Sequence, residues 1–187
     1  MSKQEKVAMT KQVKVILGSV RTGRAGKVIA DWVMKKSEEY DGNLEFELID
    51  LKDVNLPFMD EPVPPMTSDS YTHEHTKNWS ATIKAADALV IVTPEYNHGY
   101  PPVLKNAIDF LYHEWQGKAV GLVGYGGGGA THSIRQLREI LVFTGMKPLE
   151  DQVTIGKIWE AVDKEGNVKP EYTRGDILDI FRQLESD

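Results

Sequence analysis

Residues 88–110 read ALVIVTPEYNHGYPPVLKNAIDF and combine a strand, a loop and a helix. The first five residues are apolar throughout, which is typical of a strand buried on both faces of a parallel sheet. From Pro101 onward, two prolines precede apolar side chains spaced i, i+3, i+4 and i+7, the pattern of an amphipathic helix. The polar loop at residues 94–100 is therefore expected at the carboxyl end of a central strand, where open α/β sheets bind their ligands.

A second candidate loop follows an apolar strand predicted at residues 13–17. Residues 18–26 read GSVRTGRAG and lead into a predicted amphipathic helix. Free N–H groups and the positive end of a helix converge at such a turn, which predicts a phosphate site. The turn has neither the G-x-G-x-x-G spacing of a dinucleotide fingerprint nor a G-x-x-x-x-G-K-[ST] motif. Its two arginines, Arg21 and Arg24, instead suit a terminal monophosphate, which they can pair through charge-assisted hydrogen bonds.

The third candidate loop follows an apolar strand predicted at residues 119–123 and reads GYGGGG over residues 124–129. Four consecutive glycines let a backbone approach a ligand closely. Two more strands are predicted, one at residues 44–48 with the alternation of an edge strand, and a fifth at residues 153–155. A doubly wound sheet brings the ends of its first, third and fourth strands to one rim, so the three loops are expected to form one site.

Two motifs in these loops resemble those of one protein family. The sequence P-E-Y-N-x-x-x-P-x-x-L-K-N-A-I-D at residues 94–109 resembles the signature of the NADPH-dependent FMN reductases, and G-S-x-R-x-x-R at residues 18–24 is similar to their phosphate loop. The resemblance extends over residues 13–155. It implies an α/β fold with a flavodoxin-like, doubly wound, five-stranded parallel sheet of order 2-1-3-4-5 and helices on both faces. The length of the chain suits a single domain over residues 1–187, which would then bind FMN, and the polar residues 1–12 are expected to be frayed.

The same resemblance gives each loop a role in binding FMN. The first loop would hold the phosphate, the second would run along the isoalloxazine ring, and the third would donate backbone hydrogen bonds to the pyrimidine edge. The hydride would be carried by flavin N5, so no catalytic side chain is expected. The candidate cofactor-binding residues are Gly18, Ser19, Arg21, Arg24, Gly26, Pro94, Glu95, Tyr96, Asn97, Gly99, Tyr125, Gly126 and Gly127.

The activity implied by the resemblance is that of an FMN-dependent oxidoreductase with NADPH or NADH as co-substrate. Electrons would pass in a ping-pong cycle to quinones, azo compounds, flavins or metal oxyanions. Members of the family are commonly homodimers or homotetramers. The proline-rich loop at residues 51–67 and Trp115 are the candidate contacts between subunits.

Composition argues against several other classes of protein. A formal net charge of −6 and a pI near 5.4 disfavour nucleic acid or an anionic membrane as a partner. No apolar run is long enough to span a bilayer and the first residues are too polar for a secretory signal, so the cytoplasm is the expected location. The chain has no cysteine, so electrons must be held by a bound cofactor. No metal site is expected, because His73 and His75 at i and i+2 do not share a helix face.

Two other functions stay open at this point. A flavodoxin-like electron carrier or redox sensor would bind FMN without oxidising NAD(P)H. A nicotinamide-only dehydrogenase would be colourless, and the sequence offers no clear acidic ribose ligand for it, although Asp50 does end the second strand. The missing dinucleotide fingerprint disfavours this second alternative.

Overall fold

The computed structural model describes residues 9–68 and 70–187. Within these residues the centre is a sheet of seven strands flanked by helices. The strands are β1 (Lys11–Leu17), β2 (Leu44–Asp50), β3 (Ala88–Pro94), β4 (Ala119–Tyr125), β5 (Lys147–Pro148), β6 (Val153–Ile155) and β7 (Thr173–Arg174). The helices are α1 (Gly26–Glu38), α2 (Leu51–Val54), α3 (Glu74–Lys84), α4 (Pro102–Asp109), α5 (Thr131–Phe143), α6 (Ile158–Ala161) and α7 (Ile177–Ser186), with short 3₁₀ turns at His113–Trp115 and Pro170–Tyr172.

The strand order is β2-β1-β3-β4-β6-β7, and β5 also pairs with β4. The doubly wound fold and the predicted order 2-1-3-4 are confirmed, and the predicted fifth strand is β6. The prediction of five strands is wrong in detail, because β4 pairs with two separate segments, β5 at its start and β6 at its end. In addition, β7 pairs antiparallel with β6 and extends that side of the sheet.

Helices cover both faces of the sheet, as predicted. The alternation of side chains along each strand divides the apolar residues between two cores. One core packs α1 and α7 against one face, and the other packs α3, α4 and α5 against the opposite face. Strand β3 is buried along its whole length and contributes to both cores. Strand β2 alternates between buried or half-buried and exposed positions, in agreement with its place at the edge.

The start of β1 corrects the expectation that residues 1–12 are frayed. Lys11 and Gln12 belong to β1 and pair with the first residues of β2. The backbone N–H of Gln12 also donates to the Asp87 carboxylate at 2.7 Å, and the Lys11 ammonium donates to the Leu184 carbonyl at 3.1 Å. These tertiary contacts extend the strand beyond its apolar part. Residues 1–8 lie outside the described residues.

Trp115 is also placed differently from the prediction. It is 1% exposed and therefore cannot be a subunit contact. Its indole N–H donates to the Ile108 carbonyl at 3.0 Å, and its ring packs edge-on against Trp79 with centroids 6.1 Å apart. The tryptophan instead closes the core between α3 and α4. Among the described residues, no helix has the length and apolar character needed to cross a membrane.

Candidate functional site

The three predicted loops meet at the carboxyl ends of β1, β3 and β4. They border a cleft of about 140 Å³ together with α6. Enclosed pockets for ligands of drug size usually exceed roughly 300 Å³, so a larger ligand would have to extend along the open rim. The cleft is lined by Arg21, Arg24, Ala25, Pro94, Glu95, Tyr96, Tyr125, Gly126 and Ile158.

The first loop is held tightly beneath this cleft. Gly18 donates its backbone N–H to the Val92 carbonyl at 2.9 Å. Ser19 is fully buried, and its hydroxyl lies 3.1 Å from the Tyr125 hydroxyl. A side chain at Gly26 would place its Cβ 2.2 Å from that same tyrosine oxygen. These three residues therefore shape the floor of the site, and Gly26 lets the amino end of α1 approach β4.

The two arginines of the first loop have different surroundings. Arg24 donates to the Asp50 carboxylate with both terminal nitrogens, and its Nη1 also contacts the Ser19 carbonyl. Both side chains of this ion pair are 11% exposed. By contrast, no carboxylate of the described residues lies within ion-pair distance of Arg21, which is exposed. Arg21 is thus free to bind an anion at the amino end of α1, whereas Arg24 fixes the loop to the end of β2.

The second loop forms a tight hairpin. Tyr96 and Gly99 exchange backbone hydrogen bonds of 2.8 and 3.0 Å. Asn97 and His98 between them have φ angles of 50° and 67°, the left-handed conformation that a type I′ turn requires. Glu95 accepts hydrogen bonds from the backbone N–H groups of His132 and Ser133, which anchors the hairpin to the first turn of α5.

The third loop is more constrained than its four glycines suggest. The N–H of Gly126 already donates to the Ile155 carbonyl at 3.1 Å, and the carbonyls of Gly126 and Gly127 accept from α6 and the residue before it. Among the described residues, no protein acceptor takes the amides of Gly127 and Gly128. Backbone donors for a ligand are therefore available at Gly127 and Gly128, and the amide of Gly126 is not one of them.

Tyr125 joins the third loop to the first. It is 4% exposed, and burial raises its pKa to about 12, although the hydrogen bond with Ser19 acts in the opposite direction. The phenol is therefore neutral at physiological pH, and either it or the Ser19 hydroxyl can donate the hydrogen bond between them. Its side chain serves to pack β4 against the phosphate loop.

The structure brings most of the predicted site residues together. Seven of them line the cleft, and Gly18, Ser19 and Gly26 lie directly beneath it. Asn97, Gly99 and Gly127 belong to the bordering loops but do not line this cleft. Sequence reasoning missed the partnership of Asp50 with Arg24 and the contribution of Ile158. Asp50 lies at the end of β2, but no local sequence pattern predicts its partner.

The donors present fit a phosphate-bearing flavin. A phosphate could be bound by Arg21, which has no acidic partner among the described residues, and by the free N–H groups at the start of α1. The hydroxyls of Ser19 and Tyr125 lie beneath that position. The amides of Gly127 and Gly128, which have no protein acceptor among the described residues, can donate to the polar edge of a heteroaromatic ring. The model of one family, described as NADPH-dependent FMN reductase, matches residues 12–160.

The chain belongs to the NADPH-dependent FMN reductase family. It is 46% identical to an NAD(P)H-dependent FMN reductase from Schizosaccharomyces pombe over 140 residues, which cover 74% of this chain and 70% of the relative. A Saccharomyces cerevisiae protein of the same description is 43% identical over 139 residues, covering 70% of this chain and 73% of that protein. Among solved structures, the FerB flavoenzyme NAD(P)H:(acceptor) oxidoreductase from Paracoccus denitrificans superposes with a TM-score of 0.68, at 26% identity and with 94% and 92% of the two chains covered.

Membership in this family makes the chain an oxidoreductase that uses FMN and NAD(P)H. The nicotinamide-only alternative is thereby excluded. Asp50 is also unsuited to be a ribose ligand, because its carboxylate is occupied by Arg24 and by the backbone N–H of Lys52.

Proposed function

We propose that this FMN reductase passes electrons from NAD(P)H to small acceptors, quinones first among them. The supporting observation is the convergence of three loops on one cleft, which Arg21 lines without an acidic partner among the described residues, with the free amides of Gly127 and Gly128 in the bordering third loop. A relative from Pseudomonas putida that is named quinone reductase is 32% identical over 148 residues and favours this acceptor class. Azo compounds, free flavins and metal oxyanions remain proposed acceptors for an open site of this kind.

Bound FMN supplies a ring that accepts hydride and returns electrons, in a proposed ping-pong cycle in which NAD(P)⁺ leaves before the acceptor enters. The chain's own residues bind and orient the cofactor. Arg21 and the first amides of α1 hold the phosphate, because both are free donors facing an anion site. Arg24 keeps that loop in place through Asp50.

The remaining loops orient the ring. The hairpin at residues 94–99 is proposed to lie along one face of it, held rigid by its backbone hydrogen bonds and by Glu95. The amides of Gly127 and Gly128 would donate to the pyrimidine edge. Such donors stabilise negative charge in a site that is partly shielded from water, which favours electron uptake. The opposite side of the ring would stay open to both substrates.

The decisive experiment is the visible absorption spectrum of the purified protein before and after anaerobic addition of NADPH. We expect a yellow protein that bleaches and that regains its colour when a quinone is added. Initial rates at several fixed quinone concentrations should give parallel double-reciprocal lines, as a ping-pong cycle requires. A yellow protein that NADPH and NADH leave unchanged would contradict the proposal and favour an electron carrier or redox sensor.

The assembly and location of the protein remain predictions. We propose a homo-oligomer, either a dimer or a tetramer, in which the proline-rich loop contributes to the contact. The cytoplasm and a single domain over residues 1–187 stay the predicted location and organisation.

A further inference from the structure

Three side chains beside the cleft form a cluster, and the proposed function uses only one of them, Glu95, as the anchor of the hairpin. Glu95, His98 and His132 each offer one ligand atom, and these atoms lie within 4.8 Å of one another. From this cluster we propose that the chain binds one Zn²⁺ ion between the hairpin at residues 94–99 and the start of α5. The site does not depend on flavin binding or on NAD(P)H oxidation.

Two of the three ligands sit on fixed elements. Glu95 follows β3 directly, and one of its carboxylate oxygens is held by the backbone N–H groups of His132 and Ser133 at 2.9 and 3.3 Å. The second oxygen makes no hydrogen bond among the described residues. His132 lies in the first turn of α5 and is half-buried. Glu95 thus caps the start of α5, and His132 belongs to the first turn of the same helix, so both side chains are already oriented.

The third ligand is brought to this pair by the hairpin turn. The rings of His98 and His132 are parallel to within 5°, and their centroids lie 4.1 Å apart. The His98 carbonyl accepts a hydrogen bond of 2.8 Å from the Gln136 side chain, which ties the turn to the next turn of α5. The turn thereby places the His98 ring within reach of Glu95 and His132.

Coordination requires His98 to move closer and its ring to turn out of the stacked arrangement, because the in-plane nitrogen lone pairs of two parallel rings do not converge on one ion. Zinc–nitrogen bonds of 2.0–2.1 Å in a tetrahedral site place neighbouring ligand atoms about 3.3 Å apart. The ligand atoms must therefore approach one another by up to about 1.5 Å from the present separation. His98 can supply this movement, because it is exposed and lies at the tip of a two-residue turn.

The ligand set selects the metal. Two imidazoles and one carboxylate without any thiolate suit Zn²⁺, with Co²⁺ and Ni²⁺ as chemical relatives, and three protein ligands leave one position for water. Hard cations such as Mg²⁺ prefer an oxygen shell that these residues do not provide. A bound ion would lock the hairpin that borders the cleft against α5.

The test is isothermal titration of ZnCl₂ into the purified, chelator-dialysed protein in a non-coordinating buffer at neutral pH. We expect one ion per chain. The variants His98→Gly, His132→Ala and Glu95→Gln should each weaken binding at least tenfold. His98→Gly suits the left-handed backbone at this position, and Glu95→Gln keeps an acceptor for the start of α5, so both variants should fold.

His75→Ala is the matched control, since it removes a histidine that instead contacts Asp60 at 3.0 Å. It should leave the zinc affinity unchanged. Zinc should also raise the melting temperature of the wild type and of His75→Ala but not that of His132→Ala. If the wild type binds no zinc, or if His75→Ala loses binding while the three cluster variants keep it, the site does not exist.

Discussion

Arg21 and Arg24 stand three positions apart in one loop, yet their surroundings predict different consequences of mutation. Arg21 has no acidic partner among the described residues, so Arg21→Ala should leave the fold intact. It should weaken FMN binding by about 1 to 3 kcal/mol, the scale of one charged hydrogen bond. Fluorescence titration of the apoprotein with FMN measures this loss. Arg182→Ala, on the distant helix α7, is the control, and equal FMN affinity in both variants would remove Arg21 from the site.

Arg24→Ala should act on stability instead. The ion pair with Asp50 is only 11% exposed on either side, so the substitution leaves a poorly solvated carboxylate without its partner. Loss of one partner of a buried pair costs about 3 kcal/mol, to be measured by urea unfolding. The double variant Arg24→Ala, Asp50→Ala should recover part of this loss, because the stranded charge is gone. If the double variant is less stable than Arg24→Ala alone, the pair does not act in this way.

The raised pKa of Tyr125 predicts that the stability of the protein depends on pH in the alkaline range. Burial raises the pKa of its phenol to about 12, whereas the unfolded chain titrates near its usual value of 10. A group whose pKa is raised by folding stabilises the native state below the unfolded pKa, and this contribution disappears as the pH rises to the folded value. The free energy of unfolding of the wild type should therefore fall by about 2 kcal/mol more between pH 10 and 12 than that of Tyr125→Phe.

At the scale of elements, α7 illustrates how a helix is started and held. The Asp176 carboxylate accepts the backbone N–H of Leu178 at 2.9 Å, a helix cap. Ile180 then packs onto β4 where Gly121 leaves room, since a Cβ there would lie 2.4 Å from the isoleucine. Asp176→Ala should lower stability by about 1 kcal/mol in urea unfolding, because one N–H loses its acceptor. Asp179→Ala, an exposed residue of the same helix, should cost less than half of that.

The elements also show which parts of the fold a sequence pattern can predict. Strand β3 and helix α4 were predicted because their apolar periodicity is local and continuous. Helix α7 begins only at Ile177, since Thr173 and Arg174 before it pair with β6. Helix α3 begins at Glu74, after Glu61 has accepted the backbone N–H groups of the two residues before it. Such pairings join distant segments, and no local pattern contains them.

The candidate site likewise has parts that the sequence predicts and parts that it does not. Its three loops could be predicted, because each follows an apolar strand and carries its own motif. The proximity of Glu95 to His132 could not be predicted, since it depends on how α5 packs against the end of β3. The amide of Gly126 is occupied by the Ile155 carbonyl of β6, whereas that of Gly127 is free for a ligand. This difference depends on the pairing of β4 with β6, which the run of glycines does not reveal.

At the scale of the whole molecule, one apolar groove is exposed where the proline-rich loop crosses α4 and α5. It has a volume of about 320 Å³. Pro64, Pro65 and Met66 form one side, and Ile140 and Phe143 of α5 form another. Phe143 is 66% exposed. Because isolated soluble chains rarely leave a continuous apolar surface in water, this groove is the expected contact with a second copy of the chain.

Phe143→Glu tests this contact without disturbing the core, since the side chain already lies largely in solvent. The charge would be buried without a partner in the contact, so the oligomer should dissociate. Light scattering after gel filtration should then report 21.0 kDa for the variant, the mass of one chain, and a multiple of it for the wild type. Trp159→Glu changes an equally exposed aromatic residue, 72% accessible on α6, and should keep the wild-type mass. If Phe143→Glu keeps the wild-type mass while Trp159→Glu becomes a monomer, the subunits meet at the α6 side of the sheet instead.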